Sequence, residues 1–198
     1  LVPLATFAME TYKDDDCKEF LPKLSGGAAA MDEKTQRLTS QMHKAIAVIQ
    51  FKLESQLFKK HPEWKMKDRC LFDHIDYRKG KVEIYGKEYD MTSCHFPTID
   101  PDNPDKLSEE EEILIQKLHH SFMVCEKLHK HINVMLQHGC MYAIFNNNLL
   151  FHASCPLNED GSLKEVEIYP GKKFSGRALM HHTGMQIRTA FQSDSDPN

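Results

Sequence analysis

The chain has 198 residues, 40% of them apolar, and a formal net charge of -4 at pH 7. That length supports one sizeable domain or two small ones with a packed core. Both signs of charge are interspersed without a basic stripe, which argues against nucleic-acid binding; no run is long enough to span a bilayer, and no secretory signal is visible.

Pro3 suits the first turn of a helix, and Leu4, Phe7, Ala8 and Tyr12 make its apolar face. Asp14-Asp15-Asp16 marks a polar exit. An apolar, helical opening is unusual for a natural terminus, so the chain is expected to be an interior piece of a longer one. Ser25–Ala30 reads as a flexible connection. Asp32 is placed to cap a long helix, with Leu38, Met42, Ala45, Ile49, Leu53 and Leu57 as its apolar stripe and Pro62 as its stop. A shorter helix is expected around Lys65–His74. Lys81–Met91 reads as a small hairpin turning at Tyr85-Gly86-Lys87, one face wet. Phe96–Lys106 contains Pro97, Pro101 and Pro104 and is expected to be an extended loop. Its aspartates read as solvated, because the glycine and closing glutamate of an EF-hand are missing.

Ser108-Glu109-Glu110-Glu111 has the spacing of a capping box. It opens a second long helix with Leu114, Leu118, Ser121, Cys125, Leu128, Ile132 and Met135 on one stripe and Gly139 as the stop. Met141–Phe145 and Leu149–Ser154 then form the arms of a hairpin around Asn146-Asn147-Asn148. Both faces of the second arm are apolar, which predicts a strand interior to a sheet. His152 ends that arm beside a loop, a place suited to a metal ligand; a satisfied core histidine is the competing reading. Asn158–Gly161 is a turn, Val166 and Ile168 mark a short strand, and Pro170-Gly171 is another turn. Ser175 is placed to cap a last helix carrying Leu179, Met185, Ile187 and Phe191, and the final SDSDPN is expected to be disordered.

The predicted class is α+β: two long amphipathic helices, shorter helices, and a small, mostly antiparallel sheet that includes the 141–154 hairpin. Residues 1–139 are expected to be mainly helical with a small hairpin near 81–91; residues 140–198 hold the larger hairpin, the metal-ligand strand and the terminal helix.

Six cysteines occur, none in a C-x-x-C pair, and they read as free thiols of a reducing compartment. Cys140 and Cys155 flank the hairpin, but two buried thiols are preferred to a disulfide. Twelve histidines invite a zinc reading. His129 and His131 lie two apart on a helix, however, and cannot share a metal. His119-His120 and His181-His182 fail similarly, so these are read as helix-surface residues. No phosphate-cradling glycine pattern or nucleophile elbow is present.

Leu4–Asp15 (LATFAMETYKDD), Met42–Leu53 (MHKAIAVIQFKL), Phe96–Asp105 (FPTIDPDNPD), Glu126–Ile132 (EKLHKHI), Asn148–His152 (NLLFH) and Pro156–Ile168 (PLNEDGSLKEVEI) together resemble the middle of class III fructose-1,6-bisphosphatases. These are bacterial members of the calcineurin-like metallophosphoesterase superfamily. The resemblance implies part of a fold in which two divalent metals, manganese by preference, polarise a phosphate and generate hydroxide from water. It implies that His152 is the lone strand-end histidine of the ligand set. The family's usual glycine after it is replaced by Ala153. The D-x-H, G-D-x-x-D-R-G, G-N-H and G-H motifs that supply the other ligands are missing from this chain.

The resemblance therefore implies a cytoplasmic, gluconeogenic parent enzyme that hydrolyses fructose 1,6-bisphosphate to fructose 6-phosphate and phosphate. The piece alone is expected to be inactive, to partner the remainder of its own chain, and to self-associate through exposed apolar helix faces. Lys172, Lys173 and Arg177 are candidate phosphate contacts by charge alone; a solvated basic patch is the simpler reading. An independent helical interaction or regulatory module is the alternative.

Overall fold

The computed structural model describes residues 2–23, 31–152 and 154–193. The connection expected at Ser25–Ala30 and all but the first residue of the SDSDPN tail lie outside them. The chain forms two compact units, Leu1–Val124 and Cys125–Asn198. The architecture is the expected α+β mixture of helices and small antiparallel sheets.

In the first unit, helix α1 (Val2–Thr11) buries Leu4, Phe7 and Ala8 at one-turn spacing. Tyr12, just beyond it, is also buried, and the four pack with Cys17, Ala45, Ile49 and Leu114 into one core. Helix α2 (Glu33–Lys60) starts where Asp32 accepts a hydrogen bond from the Thr35 N–H at 3.0 Å. It stops at His61, and Pro62 opens a 3-10 turn.

The buried face of α2 departs from the apolar stripe. Ala45 and Ile49 are buried, but so are Ser40, Gln41, Lys44, Lys52 and Ser55, while Leu53 and Leu57 are exposed. Charge pairing explains the rotation. Lys44 Nζ lies 2.6 Å from Asp15 and over the rings of Tyr12 and Phe96. Burial works against the Asp15 carboxylate, but the hydrogen bonds from Lys44 and the Cys17 N–H hold it below the usual carboxylate range. Tyr12 is pushed up, chiefly by burial.

Three side chains along one face of α2 strap the proline-containing loop to the helix. Lys52 donates to the Thr98 carbonyl at 2.6 Å, Gln56 to the Asp105 carbonyl at 2.7 Å, and Lys59 to the Asp105 carboxylate at 2.9 Å. Asp105 is buried by these contacts, so the loop is not simply solvated. Between α2 and this loop, 3-10 turns at Lys67–Arg69 and Leu71–His74 replace the short helix expected there. Strands β1 (Ile75–Asp76), β2 (Lys81–Ile84) and β3 (Lys87–Asp90) form an antiparallel sheet. Its hairpin turns on Tyr85 and Gly86, both at positive φ, as a two-residue mirror-image turn requires.

Helix α3 (Glu109–Met123) opens with the expected capping box. Ser108 Oγ accepts from the Glu111 N–H at 3.2 Å, and Glu111 Oε2 accepts from the Ser108 N–H at 2.8 Å. Ser108→Ala is expected to cost about 1 kcal/mol, read as a lower urea midpoint for this unit with an unchanged slope.

The helix expected to run from Ser108 to Gly139 is divided. Val124 ends α3, and extended Cys125 precedes α4 (Glu126–His138). Neither Gly nor Pro causes the break. Phe122, Val124 and Cys125 are weak helix formers, and Glu126 supplies the negative charge a new helix N-terminus favours. The break coincides with the boundary between the units.

The second unit continues through strands β4 (Tyr142–Phe145), β5 (Asn148–Phe151), β6 (Val166–Tyr169) and β7 (Lys172–Phe174) and helix α5 (Gly176–Gln192). The strands form two separate antiparallel pairs, β4–β5 and β6–β7. Asn158–Ser162 closes a tight turn, with Asp160 accepting from the Ser162 N–H at 2.9 Å. Ser175 stands at the N-cap of α5 but makes no side-chain capping bond.

Candidate functional site

The hairpin that carries His152 is regular. Tyr142 pairs with Phe151, Ala143 with Leu150, Ile144 with Leu149 and Phe145 with Asn148. The turn is therefore Asn146-Asn147 alone, and Asn148 belongs to the strand. Both turn residues have positive φ, 47° and 58°, the left-handed conformation Asn tolerates.

The expectation of an interior strand is overturned. Among the described residues β5 pairs only with β4, and Leu149, Leu150 and Phe151 are 56%, 53% and 41% exposed. Two apolar faces asked for cover on both sides, and the described residues supply no further strand there. A lone two-stranded hairpin is marginally stable in water.

His152 follows the last paired residue, in a bend, and is exposed. Its ring makes no hydrogen bond among the described residues, so both nitrogens are accessible as donors to a metal. It stands alone: the described residues contain no group of three or more His, Cys, Asp or Glu able to hold an ion. His152 thus fits as one member of a ligand set and not as a complete site.

The other candidates do not converge on it. Lys172 and Lys173 are exposed neighbours on β7, and successive strand residues point to opposite faces. Lys173 lies opposite Glu167 in the register, a favourable cross-strand pair. Arg177 sits exposed in the first turn of α5. No hydrogen bond or ion pair among the described residues joins these three to His152. His182, expected on a helix surface, instead stacks on Phe174 at 4.5 Å and meets Tyr169 edge-on at 5.6 Å. Its neighbours on β6 and β7 are distant enough in sequence to hide that packing from a helical wheel. Cys140 and Cys155 are free thiols, but the expected burial is overturned: the first is exposed and the second half-buried.

A family profile described as Firmicute fructose-1,6-bisphosphatase matches residues 1–198. The chain belongs to that family. It is 52% identical over 191 residues to a fructose-1,6-bisphosphatase class 3 of Parabacteroides distasonis, covering 96% of this chain and 28% of that protein. It is 49% identical over 197 residues to one from Phocaeicola vulgatus, covering 99% of this chain and 29% of the relative. A third, from Clostridium novyi, is 47% identical over 191 residues, covering 96% and 28%. The chain thus spans less than a third of the length of these relatives. No solved structure matches it. No helix among the described residues is long and apolar enough to cross a membrane.

Proposed function

We propose that this chain is a segment of a metal-dependent phosphatase that hydrolyses fructose 1,6-bisphosphate to fructose 6-phosphate and phosphate, a gluconeogenic step in the cytoplasm. The observation that carries this reading is the family match over all 198 residues, joined to the name that relatives at about half identity bear. A divalent metal, manganese in this reading, would supply Lewis-acid polarisation of a phosphate oxygen and lower the pKa of a bound water. His152 would contribute one imidazole nitrogen to that metal. Its place past the end of β5 supports the role, because a ligand shared with other parts of a protein must be presented outward. The remaining donors belong to other parts of the full-length protein.

The 198-residue chain alone is then inactive, since one imidazole cannot hold a metal pair. It also self-associates, because Ile144 and Leu149, paired across β4 and β5, leave exposed apolar side chains on one face of the hairpin. Fructose 1,6-bisphosphate turnover is the direct test. The purified chain is expected to release no more phosphate with Mn2+ than its His152→Ala variant. Release above that control would overturn the reading of the segment as incomplete. A helical interaction module is the competing function, and it would leave the full-length protein's activity untouched by changes at His152.

A further inference from the structure

Helix α5 grips the polypeptide where α4 passes into the hairpin. Arg188 donates from Nε to the Leu136 carbonyl at 3.0 Å and from Nη2 to the Gly139 carbonyl at 2.7 Å. Its third contact, from Nη1 to the Gly184 carbonyl at 2.9 Å, ties the guanidinium back to α5 itself. The Leu136 carbonyl lies in the last turn of α4, where acceptors lack intrahelical partners and cations are favoured. Gly184 is buried, and a Cβ there would meet Arg188 Nη1 at 3.2 Å and Met141 Cγ at 3.3 Å. A methyl group there would require both side chains to shift by a few tenths of an ångström.

This grip falls at one end of the hairpin. Met141 immediately precedes Tyr142, whose partner is Phe151, and His152 is the next residue after Phe151. Continuing the antiparallel register places His152 across from Met141. The turn lies at the far end, at Asn146-Asn147. Among the described residues no further strand pairs with this hairpin and Ile144, Phe145, Leu149 and Leu150 are exposed, so the held end is where the direction of His152 is decided.

We propose that Arg188, seated by Gly184, is a positioning residue for His152: the planar guanidinium locks the α4–β4 junction onto α5 and so fixes where the imidazole stands. The inference rests on His152 being a metal ligand. A planar fork with three engaged donors does this better than an ammonium, which has no fixed plane. Groups that orient metal ligands without touching the metal are typically worth about 10- to 100-fold in metal affinity.

The test is Mn2+ binding, by electron paramagnetic resonance of the free ion, to a full-length protein carrying this segment. Circular dichroism accompanies it to establish folding. Arg188→Met is expected to weaken Mn2+ binding by about 10-fold or more, with kcat recovering at saturating Mn2+. Arg188→Lys is expected to fall between that variant and the wild type. A purely structural role would lower the melting temperature and leave Mn2+ affinity of the folded protein unchanged. Folded Arg188→Met with wild-type Mn2+ affinity, while His152→Ala loses affinity, overturns the positioning role alone. Wild-type affinity in His152→Ala removes the ligand reading and this inference with it. If Arg188→Met does not fold, Arg188→Lys decides: an ammonium cannot hold the Leu136, Gly139 and Gly184 carbonyls in one plane, weaker Mn2+ binding is expected, and wild-type affinity overturns the proposal.

Discussion

Replacing His152 by alanine in a full-length protein carrying this segment is expected to lower kcat/KM for fructose 1,6-bisphosphate by at least about 100-fold, or about 2.7 kcal/mol of transition-state stabilisation. The bound follows from position. Groups that only orient a metal ligand cost up to about 100-fold when removed, and His152 is proposed to touch the metal itself. Loss of fold does not confound the result. The ring is exposed, lies beyond the last paired residue of β5, and holds no hydrogen bond among the described residues. His131→Ala on the exposed side of α4 is the matched control. It removes an imidazole of the same unit with no expected loss of activity. Full activity in His152→Ala, with metal content unchanged, would end the ligand assignment.

What the sequence made legible was mostly local. The Ser108–Glu111 spacing gives the capping box because both partners lie within one turn. Asp32 and Pro62 bracket α2 for the same reason. Asn146-Asn147 announces a left-handed turn, and reading it as three residues rather than two cost only Asn148. What stayed hidden depends on partners far along the chain. Lys44 and Lys52 look like solvent-facing residues on a helical wheel. They are buried because Asp15 and Glu111, 29 and 59 positions away, neutralise them. The break at Val124-Cys125 carries no glycine or proline and so sends almost no signal.

The site divided along the same line. The strand pattern placed His152 at the end of β5, where the structure has it; its proposed role comes from the resemblance alone. Its surroundings were not. Apolar residues on both faces of β5 promised a sheet interior, yet among the described residues β5 pairs with β4 alone. Arg188 was invisible because its acceptors are backbone carbonyls 52 and 49 positions away, which no side-chain pattern records.

Lys52→Met is expected to destabilise the first unit by about 3–5 kcal/mol, the usual result of removing one partner from a buried ion pair. Both side chains are 0% exposed, and Lys52 Nζ lies 2.7 Å from Glu111 Oε2. Methionine fills nearly the same volume, so packing changes little. The loss is electrostatic: Glu111 would keep only the Ser108 N–H at 2.8 Å, and its Oε1 already has no partner. The Thr98 carbonyl would lose its donor too, loosening the strap between α2 and the following loop. Urea unfolding followed by the fluorescence of Trp64, the sole tryptophan and a member of this unit, measures the change. Adding Glu111→Met to Lys52→Met separates the causes. Removing the orphaned charge should recover most of the lost stability, less about 1 kcal/mol for the broken capping box. A double variant as unstable as Lys52→Met alone would place the loss in packing, and a single variant as stable as wild type would show that the pair contributes nothing to this core.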